Sequence, residues 1–154
     1  MIDSDSSPDT PEAAWRTALI LVVSLPIGVT LLAAVGLWLN ATEVGTTAVD
    51  TAPLTLAWIV LTLATSVVAV IAWQRMVKPL VPSSGFRAHP PSGDEIGRLQ
   101  TGLIVCMALV EGAALFGGVL LILGAGPAPA LVGVVLIWTA FLVLRPRRGW
   151  YGLR

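Results

Sequence analysis

Four apolar segments, each close to the length of a membrane-spanning helix, govern what this chain can fold into. They cover residues 17–39, 54–73, 99–123 and 128–144. At 1.5 Å rise per residue, about 20 residues cross the roughly 30 Å hydrocarbon layer of a bilayer. The first three segments reach that length. The fourth reaches it once Arg145 and the loop before it sit at the interfaces. The fold expected is all-α: an integral membrane bundle of four transmembrane helices over about 17–39, 54–73, 96–124 and 128–144. Composition agrees. Of the 154 residues 56% are hydrophobic and 12% charged, where soluble domains carry about 25% charge.

The charges set an orientation. Formal net charge is zero, but the nine basic residues are segregated. Arg16 precedes the first segment, Arg75, Lys78, Arg87 and Arg98 lie between the second and third, and Arg145, Arg147, Arg148 and Arg154 follow the fourth. The connection over 40–53 carries Glu43 and Asp50 with no Lys or Arg, and the one over 124–129 has no charge. All nine basic residues thus fall on one side of a four-pass arrangement, which by the positive-inside rule is the cytoplasm. Both termini are expected inside (N-in/C-in). Trp15, Trp73 and Trp150 are expected at the inner interface, Trp38 and Trp58 at the outer one, and Trp138 deeper. Eight Arg against one Lys fits a GC-rich bacterial coding sequence, and a bacterial plasma (inner) membrane is the expected location.

Residues 1–16, with Asp3, Asp5, Asp9 and Glu12 among Ser and Pro, read as a disordered acidic arm, Pro11 opening a turn of interfacial helix before Trp15. The arm lacks the basic start of a secretory signal, so the first helix is expected to stay uncleaved. The connection over 74–95 contains Pro79, Pro82, Pro90 and Pro91 and reads as a cytoplasmic loop, with His89 a solvated residue in it. Ser92-Gly93-Asp94-Glu95 has the form of a capping box that starts the third helix. Residues 145–154 read as a basic cytoplasmic tail that anchors to anionic lipid.

Glu111 stands alone in the middle of the third segment. A carboxylate at that depth costs about 2.5–3.5 kcal/mol on insertion scales, so it needs a reason. Steps of three and four residues put Thr101, Ile104, Ala108, Leu115 and Gly118 on its side of the helix. The pairs Ala108/Gly112 and Ala114/Gly118 have the spacing that lets a neighbouring helix approach closely, so the acid is expected to face protein. No basic residue lies in any segment. A neutral, protonated acid is expected, donating a hydrogen bond to Thr62, Thr65 or Ser66 of the second helix, Thr30 of the first, Thr139 of the fourth, or the carbonyl that Pro26 frees at Val22. Two roles are open: interhelical glue that fixes packing or holds a partner, or a proton- or ion-binding site in transport. The glue role is preferred, because a proton path ordinarily needs several relay groups.

The stretch Ala108-Leu109-Val110-Glu111-Gly112-Ala113-Ala114-Leu115-Phe116-Gly117 resembles the acid-bearing helix of rotary ATP synthase subunit c. That resemblance implies Glu111 as an ion-binding residue. The chain departs from that family in having no glycine-repeat face on the second helix and no short Arg-Gln-Pro loop. The same stretch is similar to one in a set of uncharacterised small four-helix bacterial membrane proteins, which implies a fold and no activity.

No signature of catalysis, metal ligation or haem binding occurs, and Cys106 has no second cysteine to pair with. The expectation is a non-enzymatic polytopic membrane protein without cofactor or metal. Its expected partners are the lipid bilayer and either its own copies in a homo-oligomer or a larger membrane complex, but no nucleic acid. An accessory, assembly or structural subunit packing through helix three is preferred over a proton- or ion-coupled transport component.

Overall fold

The computed structural model describes residues 10–42, 50–83, 89 and 91–153. The acidic residues before Thr10, together with Glu43, Arg87 and Arg154, lie outside the described residues. The described residues are helical with no strand: α1 Pro11–Ala41, α2 Ala52–Ala72, α3 Gly93–Ile122 and α4 Ala128–Leu144. Three of the helices are long and apolar enough to cross a membrane, while α4 has 17 residues.

Local chemistry sets the helix ends. Pro11 stands in the first turn of α1, where its missing N–H is no loss, and the Thr10 hydroxyl accepts from Ala13 N–H at 3.3 Å. Residues 11–16 are therefore helix rather than part of a disordered arm. The capping box of α3 is formed, Ser92 accepting from Glu95 N–H and Glu95 accepting from Ser92 N–H. At the other end of α3, Gly124 turns left-handed (φ 88°), and Ala125 N–H reaches back to the Leu120 carbonyl at 2.9 Å. That closure makes the tight α3–α4 hairpin.

Beyond Ala72 the helical path continues as one π turn, Trp73–Val77, and a short 3-10 turn, Lys78–Leu80, stopped at Pro82. Part of the expected loop over 74–95 is thus an extension of α2. The tail also folds: a 3-10 turn over Arg148–Tyr151 buries Trp150 and Tyr151.

Helix α3 is the axis, with α1, α2 and α4 each packed against it. Gln100 donates to the Ala14 carbonyl at 2.9 Å, and Gly118 lies against Leu32, so α1 and α3 run in the same direction. Trp58 donates to the Ala113 carbonyl at 2.9 Å, while Cys106 Sγ sits 3.6 Å from the Ala69 carbonyl, so α2 runs opposite to α3. Trp58 is buried in this contact. Helix α4 also runs opposite, with Gly117 against Pro129 and Gly133 against Ala114.

The charged ends meet. Glu12 pairs with Arg16 at 3.1 Å and with Arg148 at 3.4 Å, the Arg148 guanidinium lies 5.0 Å over the Trp15 ring, and Trp15 Nε1 donates to the Pro146 carbonyl. Trp73 and Trp150 pack with their rings tilted, centroids 6.1 Å apart. The start of α1, the end of α2, the start of α3 and the tail therefore share one end of the bundle, and all the described basic residues belong to them. Tyr151, fully buried in the same apolar cluster as Ala14, Leu99 and Leu103, has its phenol pushed up to about 12 by burial.

Candidate functional site

Helix α3 has two unlike sides. On the inward side backbones touch. A Cβ on Gly117 would stand 2.6 Å from the Pro129 carbonyl oxygen, one on Gly133 2.9 Å from Ala114 Cα, and one on Gly118 2.8 Å from Leu32 Cδ2. Ala114 and Gly118, one of the two small-residue pairs, lie here. The other pair does not. Ala108 and Gly112 are exposed, and a Cβ on Gly112 would meet nothing within 4 Å. The expectation that both pairs hold neighbouring helices fails for Ala108/Gly112 within this chain. The reason is angular. Contacts to α2 and the π turn after it (Ala113, Cys106, Gly102), to α4 (Ala114) and to α1 (Gln100, Gly118) together occupy somewhat less than half the circumference of α3 at about 100° per residue.

Glu111 sits at the border between the two sides and is half-buried. It follows Gln100 by 11 residues and precedes Gly118 by seven, spacings that return to nearly the same line of an α-helix. That line is the one that meets α1. Ala14/Gln100 and Leu32/Gly118 share an offset of 86 residues. The same offset sets Glu111 level with Leu25, beside the buried Pro26. Pro26 has no N–H, so the Val22 carbonyl lacks its helical donor within one turn of that level.

The structure brings none of the five expected hydroxyls to Glu111. Thr62, Thr65 and Ser66 are on α2, which packs about 160° round α3 from the acid. Thr65 donates to the Leu61 carbonyl at 2.8 Å, and the buried Thr62 hydroxyl has no partner. Ser66 lines a 260 Å³ apolar groove between α2 and α4 over Val110. Thr30 donates to the Pro26 carbonyl at 2.7 Å and accepts from Trp138 Nε1 at 3.0 Å. Thr139 donates to the Val135 carbonyl. Among the described residues Glu111 makes no hydrogen bond and no ion pair.

Among the described residues no group of three or more His, Cys, Asp or Glu could hold a metal ion. Sequence reasoning missed Trp58, Gly117 and Gly133 as the contacts that fix α3 against α2 and α4. Their signal is weak: adjacent glycines at 117 and 118, and a tryptophan six residues after the start of α2 rather than at its end. No family model, curated protein or solved structure matches the chain.

Proposed function

We propose that the chain is a non-enzymatic polytopic protein of a bacterial plasma membrane, crossing it four times with both termini in the cytoplasm. Its role is that of an accessory or assembly subunit that packs on a partner through the open side of α3. One observation carries the reading: Glu111, an acid without a partner among the described residues, stands beside an exposed small-residue pair, Ala108/Gly112, on the helix that organises the bundle. In lipid such a face costs energy if it stays open. A carboxylic acid without a partner is unfavourable in hydrocarbon, and small residues offer close approach only to another helix. A second copy of this chain, or a helix of a larger complex, covers both features at once. The gathering of the described basic residues at one end of the bundle supports the orientation.

A rival role has its own support: Glu111 lies level with Pro26 of α1, whose missing N–H frees the Val22 carbonyl, an arrangement suited to a protonatable site in a proton- or ion-coupled transport component. Glu111→Gln separates the two. Gln keeps size and hydrogen bonding, so assembly survives it, whereas proton binding and release are abolished. The test is purification of wild type and Glu111→Gln in mild detergent with the mass of the protein complex measured for each. The assembly reading expects the same complex, larger than the 16.1 kDa chain, from both. A lone monomer whose Glu111→Gln form loses proton flux in liposomes overturns it.

A further inference from the structure

At the basic end of the bundle lies a cavity of about 720 Å³, walled by the turns that follow α2 and by the first turns of α3. The π turn carries Arg75 into one wall, and α3 contributes Arg98 and Asp94 to the other. Two features open the space. Gly102 draws the end of α2 onto α3, a Cβ there falling 2.7 Å from Val77 Cγ2, while Gly97, one turn nearer the end of the bundle, has nothing within 4 Å of the same position. Among the described residues neither arginine has a hydrogen-bond or ion-pair partner. The case does not rest on the N-terminus of α3, whose capping box already engages Ser92 and Glu95.

We propose that this cavity binds the phosphodiester headgroup of an anionic phospholipid from the cytoplasmic leaflet. The inference rests on the membrane placement proposed above, though not on the partner contact at α3. Two arginines and one aspartate leave one net positive charge, which matches a phosphodiester monoanion better than a free phosphate of higher charge. Guanidinium groups suit phosphate oxygens because their paired N–H donors can bind two at once. The apolar wall of Met76, Pro79 and Leu80 gives the glycerol and upper acyl carbons a surface that a free phosphate cannot use. Thr101 marks the side of the cavity that faces the rest of the bundle. Basic pockets between helices on the cytoplasmic side are suited to anionic headgroups, each basic residue contributing about fivefold in affinity near the surface.

The test uses the full chain, delipidated in a non-ionic detergent and titrated with dioleoylphosphatidylglycerol or dioleoylphosphatidylcholine, bound lipid being counted by native mass spectrometry. Wild type is expected to prefer phosphatidylglycerol. The Arg75→Ala/Arg98→Ala variant is expected to lose that preference, with affinity falling about thirtyfold. Gly97→Leu fills the cavity without changing charge and is expected to weaken binding too. Arg145→Ala/Arg147→Ala, outside the cavity, is expected to keep it, as is Gly112→Leu on the open face of α3. Equal binding of the two lipids, an unaffected Arg75/Arg98 variant, or an equal loss in the Arg145/Arg147 variant overturns the proposal. Displacement of phosphatidylglycerol by equimolar inorganic phosphate overturns the assignment to lipid. Membrane insertion is checked separately by retention of the chain in carbonate-washed membranes, so its failure and that of the cavity are told apart.

Discussion

Helix α3 carries two small-residue pairs of the same spacing, and the bundle uses only one of them. Ala114 and Gly118 lie where α4 and α1 come close, and Gly117 beside them admits the Pro129 backbone and the Trp58 indole. Ala108 and Gly112 have the same chemistry and face outward, with Glu111 at their border. The contrast shows that spacing alone does not decide which face of a long apolar helix meets a neighbour. In an amphipathic helix polar residues mark the outside, but α3 is apolar on both sides over most of its length, so that contrast between faces is lost. What separates the two sides here is the register of hairpins closed at Gly124 and capped at Ser92, and the hydrogen bonds from Trp58 and Gln100.

The contrast is broken most severely on the inward side. Gly133→Leu drives a side chain into the Ala114 backbone and is expected to cost about 3 kcal/mol in thermal or denaturant unfolding. The inward side is closed at the basic end by Tyr151, and there the handle is pH. Above about pH 10 the unfolded chain releases its phenol proton, while the folded chain holds it until about 12. Stability is therefore expected to fall as pH rises through that interval. Tyr151→Phe should flatten the fall, which unfolding midpoints at pH 9 and 11 would check. On the outward side, Gly112→Leu should leave unfolding within about 0.5 kcal/mol of wild type, yet weaken association in bilayers by about tenfold. Energy transfer between labelled chains, alone or with the complex that co-purifies, measures that loss. Trp58→Phe removes the bond to Ala113 and should cost about 1 kcal/mol. The smallest change sharpens the picture: Thr62→Val removes a buried hydroxyl that has no partner, and its unfolding midpoint should be unchanged or slightly raised.

How much of this was legible in the sequence follows from the range of each signal. The four helices came from apolar length, and the capping box of α3 from four consecutive residues, because both are local. Residues 1–16 read by composition as an arm in which Pro11 opens a turn of helix; the helix that starts at Thr10 and Pro11 is tied to the tail by Trp15, through Pro146, and by Glu12, through Arg148. The tail reads as a basic anchor, yet it buries Trp150 and Tyr151, since two aromatic rings outweigh the charges around them once α1, α2 and α3 supply a surface. Trp58 has the amphipathic chemistry of an interfacial residue and uses it inside, where its N–H finds a backbone oxygen. Glu111 was readable as an anomaly from its surroundings in the chain. Its separation from Thr62, Thr65 and Ser66 was not, because that depends on the direction from which α2 approaches α3.

The central claim is that the open side of α3 meets protein, and a photoreactive amino acid at Ala108 tests it most directly in intact membranes. Irradiation is expected to give a single protein adduct of discrete mass, absent when Gly112→Leu is added and absent from a control probe at the exposed Val135 of α4. Lipid adducts alone at Ala108, matching those at Val135, would contradict the account.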